Sequence, residues 1–178
     1  MTRYVALLRG INVGGKNLIR MADLVACFES HGFDDVSTYI QSGNVLFRSA
    51  SSGSALTGRI ERMLAAAFDC PGTVTLRSHG QMRSIVDGAP DGFGTEPDRY
   101  RYDVIFLLPP LSADAAMQRV GVKDGVDEAY AGDGVLYFSR LIERASQSRL
   151  SRVVGTPDYQ RMTIRNWKTT TKVLDLMA

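Results

Sequence analysis

The chain has 178 residues, of which 44% are hydrophobic and 22% are charged, a composition typical of a globular protein with a sizeable core. It contains no apolar run of the roughly 20 residues that a membrane-spanning helix needs, and the apolar run near the N-terminus is too short for an export signal, so we expect a cytoplasmic protein without a membrane partner. The formal net charge of +2 neither favours nor excludes nucleic acid. Cys27 and Cys70 are far apart and have no other ligand at metal spacing, so neither a metal site nor a cofactor is expected.

The first half of the chain predicts the order strand, helix, strand, strand, helix, strand. Apolar residues at helical spacing precede Gly32, which is typical of the residue that ends a helix. Gly43 lies in a tight turn between two short segments whose composition is typical of strands. In chain order we predict a strand over 4–8, a helix over 21–31, strands over 36–40 and 45–49, a helix over 56–68, a strand over 74–78 and a short helix over 81–86.

The second half repeats this pattern after a segment rich in Gly, Pro and Asp. We place a linker at 91–99, between one unit of residues 1–90 and another of residues 100–178. Beyond it we predict a strand over 101–109, a helix over 112–120 capped by Ser112, a hairpin over 130–139, and helices over 146–154 and 163–178, the last capped by Thr163.

The hairpin over 130–139 matches residues 39–49 in its Tyr, its Gly-containing turn and its Val-Leu-aromatic strand. Chance similarity of two hairpins is one interpretation, and a weak internal duplication is the other. If the duplication is real, it predicts an α+β fold with two ferredoxin-like (βαββαβ-type) units in tandem and an added C-terminal helix.

The stretch RGINVGGKN (9–17) differs by one residue from the phosphate-binding pattern G-x-x-x-x-G-K-[ST]. Asn17 replaces the hydroxyl that would hold Mg²⁺, and the strand over 101–109 has its Asp at the start instead of the end, so the sequence argues against a nucleotide hydrolase. Two interpretations stay open: a structural strand-to-helix turn, or a loop that binds an anion without Mg²⁺. In the second, the contacts come from Arg9, Asn12, Gly14, Gly15 and Lys16.

The turn QSGN (41–44) carries a second group of polar side chains. Gln41, Ser42 and Asn44 have the hydrogen-bonding groups to recognise a ligand, and they are also the residue types that a hairpin turn uses for its own backbone. The sequence by itself favours the turn.

The stretch TIRNWKT (163–169) places Arg165, Asn166, Trp167 and Lys168 within one turn of the predicted helix. Charged residues beside an aromatic ring suit stacking and phosphate contact. The alternative, which we prefer, is that Trp167 anchors the helix in the core while the charged residues are solvated.

Catalytic and nucleic-acid-binding signals are sparse. His31 and His79 have no acidic partner at a recognised spacing, and the chain contains no nucleophile–base or metalloenzyme motif, so enzymatic activity stays an open question. Residues 140–172 contain eight basic residues and two acidic ones. This segment is either a solvated face or a surface for nucleic acid, which is possible as a partner but not favoured.

Three motifs, ALLRGINVGGKN (6–17), TYIQSGNVLF (38–47) and TIRNWKTTTKVL (163–174), resemble in order and spacing the bacterial family of domain of unknown function 1697. The resemblance extends over nearly the whole chain, although this chain has Lys168 where the family more often has Asn. It implies two ferredoxin-like α/β units and no established activity.

The motifs that mark this family are also those selected above for their chemistry, so we expect them to meet in one site. The leading hypothesis is that a small phosphate-bearing or anionic ligand binds in a cleft between the two units. A nucleic-acid-binding module and an enzyme whose site the sequence does not reveal are the alternatives. The expected ligand-binding residues are Arg9, Asn12, Gly14, Gly15, Lys16, Gln41, Ser42, Asn44, Arg165 and Asn166.

Overall fold

The computed structural model describes residues 1–15, 18–69 and 72–178. Lys16 and Asn17 of the Gly-rich loop, and Cys70, therefore lie outside the described residues. The described chain has an α+β structure with two four-stranded antiparallel sheets. Within it, no helix combines the length and the apolar character that crossing a membrane requires. Cys27 is a free, buried thiol, and burial raises its pKa.

The chain divides into two compact units. The first consists of Met1–Met82 together with Val173–Ala178, and the second of Arg83–Lys172. The last six residues thus group with the N-terminal unit and not, as predicted, with the C-terminal one. Each unit is described by itself below.

The first unit has the strand order β2-β3-β1-β4, with antiparallel neighbours throughout. Because β1 and β2 are both antiparallel to β3, they run parallel to each other with β3 between them. Its elements are β1 (Thr2–Leu7), α1 (Met21–Ser30), β2 (Asp34–Tyr39), β3 (Asn44–Ser49), α2 (Gly53–Phe68) and β4 (Thr75–Ser78). All of them agree with the sequence prediction in type and order.

Its core lies between one face of this sheet and the helices α1 and α2. Alternate residues of the strands, such as Phe47, point to this face, and residues at helical spacing, such as Leu24 and Phe28, meet them. The rings of Phe28 and Phe33 both pack on Phe47, with centroids 5.4 and 4.9 Å away. Burying each such side chain stabilises the unit by about 1.5–3 kcal/mol.

The second unit repeats the strand order, as β6-β7-β5-β8. Helix α3 (His79–Asp87) leads into it, and a short α5 (Leu150–Val153) lies between 3₁₀ helices at Ile142–Gln147 and Pro157–Arg161. The predicted cap of α4 is confirmed, since the Ser112 hydroxyl accepts the backbone N–H of Ala115. The other elements are β5 (Tyr100–Leu107), α4 (Ala113–Val120), β6 (Asp127–Gly132), β7 (Val135–Leu141), β8 (Met162–Asn166) and α6 (Trp167–Leu176). The last four residues of α6 belong to the first unit.

Two helix predictions near the C-terminus are correct only in part. Residues 146–154 are α-helical only over Leu150–Val153, and Met162–Asn166 form strand β8 instead of the first turn of a helix capped by Thr163. Strand β8 pairs with β5, with Ile164 opposite Ile105, and this pairing buries Met162 and Thr163. The β-branched Thr163 and Ile164 fit such a strand better than a helix.

Residues 88–99, which include the predicted linker, fold onto the second unit. They form turns held by backbone hydrogen bonds, such as the one from Phe93 N–H to Pro90 O at 2.9 Å. The Phe93 ring packs edge-on against Tyr102, Tyr137 and Trp167, with centroid distances of 4.9, 5.6 and 5.2 Å. These contacts agree with the preferred interpretation of Trp167 as an anchor, but Arg165, which that interpretation places in solvent, is partly buried.

Candidate functional site

In the first unit, the Gly-rich loop after β1 lies against the hairpin turn between β2 and β3. The backbone N–H of Leu8 donates to Gly43 O at 2.7 Å. Gly43 has a φ of +84°, and a Cβ at this position would stand 2.6 Å from Ile11 Cδ1. A larger residue would both strain the backbone and separate the loop from the turn, so glycine is required here.

Asn12 fastens the loop and ties it to the turn. Its Oδ1 accepts the backbone N–H of Ile19 at 2.8 Å, while its Nδ2 donates to Ile19 O at 3.0 Å and to Gln41 O at 2.9 Å. Its φ of +53° lies in the left-handed region, which Asn tolerates better than most residues. Asn12 therefore connects the two ends of the Gly-rich loop through Ile19, and connects the loop to the QSGN turn through Gln41.

The QSGN turn is shaped by Asn44. Its fully buried side chain donates through Nδ2 to Tyr39 O at 2.8 Å and to Ser42 Oγ at 3.2 Å. Ile40 holds a φ of +53°, which is a strained conformation for a β-branched residue, and 46% of it is exposed. The turn is thus held rigidly by its own side chains.

A cavity of about 340 Å³ opens where the loop, the turn and the start of α1 come together. Helix α1 presents the positive end of its dipole here, and Arg20 occupies the position before its first residue. The Arg20 side chain is 84% exposed and forms two hydrogen bonds with Asp23, at 2.8 and 2.9 Å. The lining residues are Asn12, Leu18, Ile19, Arg20, Met21 and Gln41.

Of the predicted site residues, Asn12 and Gln41 line this cavity, and Ser42 and Asn44 lie in the adjoining turn. Arg20 was missed, although its place directly before the helical pattern was a readable signal. Gly14 and Gly15 are exposed at positive φ, with open space where a Cβ would stand. Arg9 is half-buried and lines a separate, very small crevice beside Leu64.

Arg165 and Asn166 lie in the second unit, in strand β8 and not in a helix as predicted. Burial lowers the pKa of Arg165 to about 10, so the guanidinium keeps its charge at neutral pH. The Asn166 side chain has a structural role, because its Oδ1 accepts the backbone N–H of Thr169 at 2.7 Å in the first turn of α6.

Several basic residues of the 140–172 segment have partners within the second unit. Arg140 lies 3.8 Å from Asp103, Arg161 donates to Pro109 O at 2.8 Å, and Arg144 donates to Gln147 at 3.3 Å. Among the described residues, no group of three or more His, Cys, Asp or Glu side chains could hold a metal ion.

Comparison with known proteins places this arrangement in a family. A solved structure, that of conserved bacterial protein SP0830 from Streptococcus pneumoniae, is 29% identical in sequence, and the similarity covers 99% of each chain with a TM-score of 0.87. No curated protein matches the chain. The model of the family described as protein of unknown function (DUF1697) matches residues 1–137, more than three quarters of the chain. On this evidence the chain belongs to the DUF1697 family.

Proposed function

We propose that the first unit binds a small anionic, phosphate-bearing ligand in the cavity where α1 begins. The observation that carries this proposal is the cavity itself, which places Arg20 and the positive end of a helix beside a Gly-rich loop. Backbone N–H groups at a helix start and in glycine-rich turns are donors that suit phosphate oxygens. The guanidinium of Arg20, which precedes α1, has donors only and so cannot itself accept the first backbone N–H groups of the helix.

The predicted residues take different parts in this proposal. Asn12 and Asn44 shape the site, because their amide groups are engaged by the chain's own backbone. Gly14 and Gly15 allow the backbone to approach an anion closely. Lys16, Arg20 and Gln41 are the groups that we expect to contact it.

Asp23 is the internal competitor of the ligand. Its carboxylate accepts a hydrogen bond from the Arg20 guanidinium and lies in the first turn of α1, where an anionic ligand would also bind. An ion pair this exposed contributes little to stability, so Arg20 can exchange Asp23 for a phosphate at small cost. Neutralising Asp23 should accordingly strengthen anion binding.

A thermal-shift and calorimetric screen tests the proposal with inorganic phosphate, pyrophosphate, sugar phosphates and nucleotides. We expect Arg20→Ala and Lys16→Ala to weaken binding by about tenfold each, as for the loss of one charge-assisted hydrogen bond. Asp23→Asn should strengthen it. Arg62→Ala, which removes an exposed positive charge from α2, is the matched control and should have no effect.

The proposal is wrong if none of these anions binds, or if Arg20→Ala and Lys16→Ala bind as tightly as the wild type. Arg165→Ala tests separately whether the arginine of the second unit contributes, as the sequence analysis expected. Short RNA in the same screen tests the nucleic-acid alternative, for which affinity would fall steeply with salt. We further propose that both units are ferredoxin-like, which their shared strand order supports.

A further inference from the structure

The second unit contains a cavity of about 260 Å³ over the exposed part of its sheet. Its floor is set by strand register: Tyr102 on β5 lies opposite Ser139 on β7, and Ser139 lies opposite Glu128 on β6. Cross-strand partners project from the same face, so Tyr102 and Glu128 stand on one surface about 10 Å, or two strand spacings, apart. Tyr100 joins this face because it precedes Tyr102 by two residues.

One wall is formed by the segment predicted to be a linker. Phe93 packs edge-on against Tyr102 with ring centroids 4.9 Å apart, and the backbone N–H of Glu96 donates to the Tyr102 hydroxyl at 3.3 Å. The opposite side is formed by Tyr130, which is 45% exposed. The cavity is therefore surrounded by aromatic rings that the fold holds in place.

The charged side chains that line this cavity are all acidic. Asp91, Glu96 and Glu128 are its ionisable acids, and among the described residues it includes no Lys, Arg or His. The Tyr130 hydroxyl donates to Glu128 Oε2 at 3.2 Å, which fixes that carboxylate beside the rings. The nearby charge of Glu128 also raises the pKa of Tyr130. Such a lining repels phosphate, so a nucleotide or an RNA backbone is a poor occupant.

The chain itself shows which ligand suits these rings. The Arg99 guanidinium stands over the Tyr100 ring at 5.1 Å from the centroid, and lies 3.7 Å from Glu96. A cation is thus already held at the edge of the cavity by one ring and one carboxylate. Aromatic faces combined with carboxylates are the arrangement that binds alkylated ammonium groups.

We propose that this cavity, lined by Tyr100, Tyr102, Tyr130, Phe93 and Glu128, is a binding site for a small organic cation that carries an alkylated ammonium group. Its volume lies below the usual range for drug-sized ligands, so it suits the head of a small molecule or one modified side chain. The site belongs to the second unit and does not depend on the proposed anion site of the first.

Choline and its neutral isostere 3,3-dimethyl-1-butanol, titrated into the full-length protein by calorimetry and NMR, test the proposal. We expect choline to bind at least about tenfold more tightly than the isostere, because only choline interacts electrostatically with the rings and the carboxylates. Glu128→Gln and Tyr130→Ala, both changes at exposed positions, should each weaken choline binding by about fivefold to tenfold. Arg99→Gln, which removes the chain's own cation from Tyr100, should strengthen it.

Glu143→Gln, an exposed acid elsewhere in the second unit, is the matched control and should bind choline like the wild type. Equal affinity for choline and the isostere would show that burial of apolar surface drives binding, and would overturn the proposal. Failure of the wild type to bind choline would overturn it too, as would unchanged binding in both Glu128→Gln and Tyr130→Ala. Single-stranded RNA that competes with choline for these residues would point to base stacking instead.

Discussion

At the scale of single residues, the second unit buries an ionisable carboxyl group, that of Asp103, in its interior. Asp103 is only 5% exposed, on the central strand β5, and its closest basic partner, Arg140, is 3.8 Å away. Burial raises the pKa of its carboxyl, and the charges of Arg140 and Arg101 offset only part of that effect. The folded protein therefore holds the proton of Asp103 more tightly than the unfolded chain does.

This difference predicts a pH dependence that Asp103→Asn should remove. Below about pH 4, where the carboxyl is protonated in the unfolded chain as well, Asp103 causes no loss of stability. As the pH rises through the raised pKa, the wild type loses about 1.4 kcal/mol for each unit of the shift, whereas the variant does not titrate here. The stability of the variant relative to the wild type should thus increase with pH.

Urea unfolding over a pH series measures this relative stability. Asp124→Asn, an exposed acid in the loop before β6, is the control, and its curve should run parallel to that of the wild type. Parallel curves for Asp103→Asn as well would contradict the inferred shift.

At the scale of elements, the segment over 88–99 shows how a loop becomes part of a packed unit. Gly94 has a φ of +86°, and a Cβ built on it would overlap the Trp167 indole. The absence of a side chain at this position lets the segment lie on Trp167 while Phe93 enters the neighbouring aromatic cluster. This contact also places the wall of the proposed cation site.

Gly94→Ala should destabilise the second unit by about 2–4 kcal/mol, from backbone strain at positive φ and from overpacking against the indole. Gly92→Ala is a matched control, since Gly92 lies in the same segment with a φ of +79° but has ordinary contacts at 3.9 Å. It should cost only the strain of about 1 kcal/mol. Trp167 is the only tryptophan, so its fluorescence during denaturant unfolding reports both. Equal losses in the two variants would contradict the close packing on Trp167.

Elements whose signals are local could be predicted from the sequence, and elements that depend on distant partners could not. The Ser112 cap and the Gly32 stop are properties of a few neighbouring residues, and both helix ends were placed correctly within a residue or two. Strand β8 depends on its pairing with β5, whose sequence is far away, so the apolar spacing from Ile164 onward was assigned to a helix.

The candidate sites divide in the same way. The Gly-rich loop and the QSGN turn could be recognised as unusual, but the partners of Asn12, which are backbone groups of Ile19 and Gln41, could be seen only in the folded chain. The pocket of the second unit was missed although Tyr100 and Tyr102 alternate along β5 and so share a face. Its other walls come from separate segments that no local pattern connects.

At the scale of the whole molecule, the first unit is built from both ends of the chain. It includes Val173–Ala178, which follow the second unit in the sequence. Met177 is 2% exposed, and the guanidinium of Arg3 in β1 donates to Leu176 O at 3.4 Å. The C-terminal residues therefore contribute to the stability of the N-terminal sheet.

Met177→Ala should then destabilise the first unit by about 2–4 kcal/mol, as expected for removing a buried methionine side chain. Leu176→Ala is the matched control: it lies on the same turn with 39% exposure, it keeps the backbone carbonyl that Arg3 uses, and it should cost well under about 1 kcal/mol. Amide hydrogen exchange gives the location of the effect, and protection should fall in β1 and β3 of the N-terminal sheet for Met177→Ala. If that protection were unchanged while global stability fell, the C-terminal residues would support another part of the molecule, and the first unit would be a continuous segment of chain.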